Sequence, residues 1–238
     1  MPRAHRHFLN GLVWHITHRC HKRQFLLRFK MDRRQWRWWL FQARKRYGLC
    51  VLNYIVTSNH VHLLAFDQGQ GEIAKSMQLV AGRVAQQFNR RKHRSGAFWE
   101  DRYFATAVQA GSHLARCLAY IDLNMVRAGV ISHPEQWADS GHREIQSPPE
   151  RYRLIDTERL TGLLGLESLA QLQTAQREWI EESLTTDRLE REPMWSESVA
   201  IGQTGFLEAI QRELYFRCPG RRIVGDADSH RIRESPRS

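Results

Sequence analysis

His60 and His62 flank a single valine in Asn59-His60-Val61-His62-Leu63-Leu64, and residues i and i+2 of a strand project from one face. At ~3.3 Å per residue the two imidazoles stand about 7 Å apart along that face, close enough to converge on one metal ion. Alone the pair is a weak signal, because the chain holds 12 histidines and an apolar strand can carry two of them without any ion. Tyr120 and Asn124 form a second group, four residues apart and expected on one face of a helix. A phenol with pKa near 10 is a poor nucleophile, but a cation that neutralises a phosphodiester eases phenolate attack on phosphorus. The amide oxygen of Asn124 would be a third, neutral ligand. Two imidazoles and an amide leave the ion its full charge, which favours Mg²⁺ or Mn²⁺ in an open site. Singly, Tyr120 reads equally as a core-edge tyrosine and Asn124 as a surface residue; together with the histidine pair they point to phosphodiester chemistry.

The charge pattern agrees with such a substrate. Residues 1–130 carry 22 Lys+Arg against 6 Asp+Glu, whereas 131–238 carry 14 against 19, so a +16 half precedes a −5 half. The basic half also contains Trp14, Trp36, Trp38, Trp39 and Trp99, which fits a polyanion with stackable bases, although several of these must be core. A membrane surface fits less well, since the basic residues recur in several segments instead of one amphipathic anchor. No run approaches the ~18 apolar residues of a membrane helix, and Met1–His7 lacks the apolar stretch of a secretory signal, so a cytoplasmic location is expected. Cys20, Cys50, Cys117 and Cys218 are scattered without a C-x-x-C pair, which argues for reduced thiols over a disulfide framework or a zinc-thiolate site.

Positioning these groups requires a sheet and helices. Residues 11–19 are β-branched and aromatic enough for a strand, and 32–47 read as a helix capped by Asp32 and closed by Gly48. Cys50–Val56 and His60–Phe66 are two strands joined by Thr57-Ser58-Asn59, a hairpin whose second strand carries the histidines. Ile73, Met77, Val80, Val84 and Phe88 are spaced for a helix, residues 98–108 look extended, and a further helix runs from a Ser112 cap through Val126 to a Gly129 stop. The order βαββαβ predicts an α+β, ferredoxin-like antiparallel sheet with helices on one face and the other face open for a site. Residues 1–145 form the expected catalytic domain. Helices near 156–164, 167–184 and 203–217 make 151–218 a helical extension, and 219–238 a polar, loosely held tail.

Five segments in order carry a resemblance to a known family: Trp14-His15-Ile16-Thr17-His18-Arg19; Ser58-Asn59-His60-Val61-His62-Leu63-Leu64; Phe88-Asn89-Arg90-Arg91-Lys92-His93-Arg94-Ser95-Gly96; Phe98-Trp99-Glu100-Asp101-Arg102-Tyr103; and Tyr120-Ile121-Asp122-Leu123-Asn124-Met125-Val126-Arg127-Ala128-Gly129. Over most of its length the chain resembles the single-tyrosine HUH transposases of the IS200-like group, and among them the REP-associated tyrosine transposases of bacteria. The resemblance implies that His60 and His62 are the metal-binding pair, that Tyr120 is the nucleophile, and that Asn124, one turn on, completes the metal site. It further implies cleavage of single-stranded DNA near palindromic hairpins through a 5′-phosphotyrosine, with strand transfer by reversal and a cytoplasmic, nucleoid-associated setting. Two departures are Met125, where the family usually has proline, and Cys20, where glycine commonly follows the arginine; Met125 would allow a more regular helix around the site.

Arg90, Arg91, Lys92 and Arg94 are candidates for phosphate contacts, with Arg33, Arg34 and Arg37 as a second basic surface. Trp99 and Tyr103 are candidates for base stacking. His15, Thr17 and Arg19 share a strand face, Arg19 as a candidate DNA contact and all three either beside the site or ordinary sheet-surface residues. Two other readings stay open: a non-catalytic single-strand-binding module on the same sheet, and a structural zinc protein using His60 and His62 with His15 or His18. The hairpin sequence and the choice between monomer and homodimer are not encoded in any motif.

Overall fold

β1 (Val13–Arg19), β2 (Cys50–Val56), β3 (His60–Phe66) and β4 (Phe104–Val108) alternate with α1 (Lys30–Tyr47) and α2 (Glu72–Arg91), in a computed structural model that describes residues 9–186, 190, 192–215, 221–226 and 229–234. Met1–His7, Cys218 and Pro219-Gly220 lie outside the described residues. After β4 come α3 (Ser112–Asp122), α4 (Asn124–Arg127), α5 (Gly141–Gln146), α6 (Thr157–Leu164), α7 (Leu169–Thr185), α8 (Met194–Glu197), β5 (Ala200–Gly202), α9 (Thr204–Tyr215), β6 (Arg221–Asp226) and β7 (Ser229–Glu234). All seven strands share one sheet in the order β2-β3-β1-β4-β5-β7-β6. The first four pair antiparallel in the ferredoxin-like arrangement, and among the described pairs of named strands only β4–β5 is parallel. The α+β, ferredoxin-like architecture is thus as the sequence predicts.

Its additions are not. The extension expected to be helical contributes β5, and the tail expected to be loosely held contains β6 and β7, so the sheet continues past β4 instead of ending there. An edge strand leaves a row of unpaired backbone groups, and β5 takes them up: Ala107 N donates to Val199 O at 2.9 Å and Gln109 N to Ile201 O at 3.0 Å.

Register places the site. Directly opposite residues share a face, so the pairs His15↔Leu64, Thr17↔His62 and Arg19↔His60 put His15, Thr17, Arg19, His60 and His62 together. The opposite face holds Ile16, His18 and Tyr54 and is covered by α1 and α2, with Trp36 of α1 6.3 Å from the Tyr54 ring. The histidine face, expected to lie open, is roofed by α3 and by α8, which packs on β1 and β4. The reason is apolar: Leu114, Cys117, Leu118 and Ile121 of α3 are fully buried and need this cover.

Local signals fare unevenly. Asp32 does not cap α1; Phe29 stands at the cap, and Asp32 lies in the first turn, where it pairs with Arg91 at the far end of α2. Gly48 closes α1 in the left-handed region at φ 71° as expected, a conformation that costs glycine little. Only Phe104–Val108 of the extended 98–108 segment is a strand. Gly111, not Ser112, precedes α3 at the cap position. The helix expected to run to Val126 breaks at Leu123 (φ −78°, ψ 3°), so Tyr120 and Asn124 lie on two successive helices and the regular helix expected around Met125 is interrupted just before it. Further on, Asp156 caps α6 by accepting from Arg159 N at 2.9 Å, and Ser168 caps α7 by accepting from Gln171 N at 3.2 Å. Among the described residues no helix is long and apolar enough to cross a membrane.

Candidate active site

The start of β3, beside the last residues of β1, brings the two histidines, Tyr120 and Asn124 into one cluster, and the hydrogen bonds around it fix where each imidazole keeps its lone pair. Asn59 Nδ2 donates to Arg23 O at 3.2 Å, so its Oδ1 is the atom that faces His60 Nδ1, 2.7 Å away. A carbonyl oxygen only accepts; the His60 proton is therefore on Nδ1 and the lone pair on Nε2. Thr57 Oγ1, 3.0 Å from the same nitrogen, closes the hairpin turn around it.

His62 is held from both sides. Its Nδ1 lies 2.8 Å from His15 Nε2 and 3.2 Å from Thr17 Oγ1, and its Nε2 lies 3.1 Å from Asn124 Nδ2. His15 Nδ1 in turn lies 2.9 Å from the carbonyl of Trp195, which can only accept, so His15 Nε2 is free to accept from His62. Burial lowers His15 to about 4 and places His62 well below its ordinary value, with His60, His15 and Arg127 as further positive neighbours of His62. Both rings are consequently neutral near pH 7, the form that ligates metal. The rings of His60 and His62 sit 5.0 Å apart and nearly perpendicular, each oriented by a hydrogen bond at its Nδ1. Asn124 turns its amide nitrogen to His62; as a ligand it would present Oδ1 instead.

The Tyr120 ring is 6.0 Å from His62 and 6.2 Å from His15, only 6 % exposed, and backed by the Trp195 indole at 5.8 Å. Arg127 lies over its face with the guanidinium carbon 4.0 Å from the ring centroid and donates to the Tyr120 carbonyl. Burial pulls the Arg127 pKa down, and Tyr120 opposes that shift through charge and a side-chain hydrogen bond. Arg127 thus belongs to the site, and its spacing of seven residues from Tyr120, two helical turns along the same side, is a signal that could have found it. Trp195 and the role of His15 had no such signal, since the contact joins residues 180 apart.

The predicted DNA-contacting residues separate into four groups. Arg19 lies beside His60 on the site face. Arg90 and Lys92 are exposed at the end of α2; Arg91 is engaged with Asp32, and Arg94 donates to Asn89 Oδ1 and Ala97 O. This cluster sits at the end of the sheet where β1 stops and β3 begins, since Cys20 N donates to Asn59 O and His21 N to Phe98 O, both at 2.8 Å. On α1, Arg34 is exposed, but Arg33 and Arg37 lie 2.6 and 3.2 Å from the carboxylate of Asp139, and Arg33 also covers Trp137 at 4.6 Å. Trp99 and Tyr103 are on the opposite side of the sheet from the histidine pair: Trp99 stacks on His18 at 4.0 Å and donates to Ala81 O of α2. His18 shares that opposite face, so it cannot join His60 and His62 in a zinc site.

Residues 9–124 match the family model of IS200-like transposases. No curated protein matches the chain. Among solved structures, the chain is similar to a REP-associated tyrosine transposase bound to a REP hairpin, with a TM-score of 0.51 and 17 % identity over 64 % of this chain and 90 % of that one. A putative transposase from Deinococcus radiodurans R1 is similar at a TM-score of 0.36 and 19 % identity, over 51 % of this chain and 96 % of that one, and carries no weight here. The first likeness speaks for the fold, and the match over 9–124 spans β1 through the start of α4, with every residue of the histidine pair and its tyrosine inside it. Through that region, just under half of the chain, the protein is similar to the IS200-like transposases.

Proposed function

We propose that the protein is a metal-dependent single-stranded DNA endonuclease and strand transferase, with Tyr120 as nucleophile, His60, His62 and Asn124 as metal ligands, and hairpin-bearing DNA as substrate. The observation that carries the reading is the pair of imidazoles whose Nε2 lone pairs are fixed by Nδ1 hydrogen bonds, with a tyrosine ring 6.0 Å from one of them. A bound Mg²⁺ or Mn²⁺ would supply Lewis-acid neutralisation of the phosphate charge.

This chain's own residues do the rest. Arg127 over Tyr120 stabilises negative charge on the phenol oxygen as its proton leaves. That oxygen forms a bond to phosphorus, the bond from phosphorus to the 3′ oxygen breaks, and the departing oxygen takes a proton to become a free 3′-OH. The 5′ phosphate stays on Tyr120, so the energy of the diester is kept and a second 3′-OH can reverse the step. The roof of α3 and α8 limits water at the tyrosine and so protects the intermediate from hydrolysis. Hairpin DNA as partner is supported by the fold's similarity to a transposase bound to such a hairpin.

Incubation with a hairpin-bearing oligonucleotide and Mn²⁺ is expected to give a denaturation-resistant protein–DNA adduct that EDTA abolishes. Adduct at wild-type level from Tyr120→Phe would sink the assignment, and binding without any cleavage or EDTA effect would favour a non-catalytic module.

A further inference from the structure

We propose that His15 is a positioning residue for the metal-binding pair, and that the carbonyl of Trp195, supplied by the segment after the matched family region, sets the direction of the whole histidine relay. The inference rests on His62 being a ligand in the function proposed above, and deepens it.

A neutral imidazole has one donor and one acceptor nitrogen, and either tautomer is accessible to a free side chain. A metal ligand must keep the lone pair on the nitrogen facing the ion. His62 Nε2 faces Asn124 and the Tyr120 side of the cluster, so the useful tautomer has its proton on Nδ1. Nothing within His62 selects that form; its neighbours do. The Trp195 carbonyl can only accept, which puts the His15 proton on Nδ1 and leaves His15 Nε2 to accept. His15 Nε2 at 2.8 Å then takes the proton of His62 Nδ1, and the lone pair of His62 falls on Nε2. Thr17 Oγ1, at 3.2 Å, can donate or accept and by itself leaves the choice open.

The carbonyl is well anchored. Trp195 is 1 % exposed, Thr106 Oγ1 of β4 donates to Ser198 O at 2.7 Å, and Val199 N donates to Ile232 O at 2.7 Å. The same residue backs Tyr120 with its indole, so one segment orients both the nucleophile and a ligand. Outer partners of this kind fix ring orientation and tautomer in metal sites.

The test reads the tautomer directly in metal-free protein, by long-range ¹H–¹⁵N spectra of labelled histidines, and then titrates Mn²⁺ alone. In the wild type both His15 and His62 are expected with the proton on Nδ1. His15→Leu removes the acceptor and leaves only the Asn124 amide, which donates to Nε2 but can turn, to favour the tautomer: His62 should show a mixed or Nε2-protonated state, and Mn²⁺ affinity should fall roughly 10- to 100-fold. His15→Gln places an amide oxygen near the lost Nε2 and should restore the tautomer and hold affinity within a few-fold of wild type. His15→Asn, too short to reach His62, should behave as His15→Leu and serves in its place if the leucine variant does not fold. Wild-type tautomer and Mn²⁺ affinity in both His15→Leu and His15→Asn would overturn the proposal, as would a wild-type His62 protonated on Nε2. The spectra need no metal, so if wild-type protein neither binds Mn²⁺ nor forms the adduct, it is the proposed function that falls, while the relay is judged on the tautomers alone.

Discussion

Asp139 and Asp122 are equally buried and face opposite company. Asp139 looks at two guanidiniums, those of Arg33 and Arg37, across from α1. Among the described residues Asp122, the last of α3, faces no cation at hydrogen-bond distance: Asn53 Nδ2 donates to Oδ1 at 2.9 Å and Gln176 Nε2 to Oδ2 at 2.7 Å, with His142 Nδ1 3.8 Å away. Burial pushes Asp122 up to about 7, with the two amides only partly opposing it, and pulls His142 down to about 4, so the pair is close but uncharged over much of the range between. One carboxylate therefore neutralises charge that the sequence shows as surplus; the other gives the fold a polar anchor at the kink before Asn124.

The comparison is broken most severely at Asp139. Asp139→Ala leaves Arg33 and Arg37 without their carboxylate, and because Arg33 is largely buried the expected loss is about 2–4 kcal/mol in urea denaturation. A loss under about 1 kcal/mol would mean that these arginines are not held by the fold and belong with the charge proposed to meet DNA.

At Asp122 the expected effect is a slope. A carboxyl whose folded pKa is raised from 3.8 to about 7 holds its proton more tightly when folded, so its stabilising contribution is complete below about 4 and is lost as pH rises through 7. The buried histidines act in the reverse sense, losing stability as pH falls from 6.5 toward 4. The stability difference between wild type and Asp122→Asn isolates the carboxyl: it should shift in favour of the variant as pH rises from 4 to 7. A pH-independent difference would show that Asp122 is charged and well paired after all.

The smallest effect sharpens what Asp139 takes out of circulation. Arg90→Ala with Lys92→Ala should weaken single-stranded DNA binding and lower the dependence of log K on log salt by about 1.4, roughly 0.7 for each phosphate that is no longer neutralised. Arg37→Gln should leave that slope nearly unchanged, as measured by fluorescence titration across a KCl series. Equal slopes for both variants would remove the distinction between spent and available charge.

Local chemistry made part of this legible. The hairpin Cys50–Val56 and His60–Phe66 is read correctly to the residue because its strands are rich in β-branched and aromatic residues and its link is short and polar. The break at Leu123 is not legible, since Leu123, Met125 and Val126 continue a helical pattern and the anchors that accompany the kink, Asn53 and Gln176, come from distant elements. Arg-Arg-Ile-Val-Gly-Asp at 221–226 is too short and charged to announce a strand until the edge offered by β7 is known. At the site, spacing identified the histidine pair and the tyrosine as candidates, but not Trp195 or the acceptor role of His15, because a carbonyl has no letter in a sequence.

The Trp195 carbonyl also imposes an order in time. Synthesis runs from the amino terminus, so a nascent chain that already carries His15 and His62 still lacks the acceptor that directs them, which arrives 180 residues after His15. A ribosome-bound or prematurely ended chain would thus leave His62 undirected, and the proposed activity would be armed only once the later strands had joined the sheet.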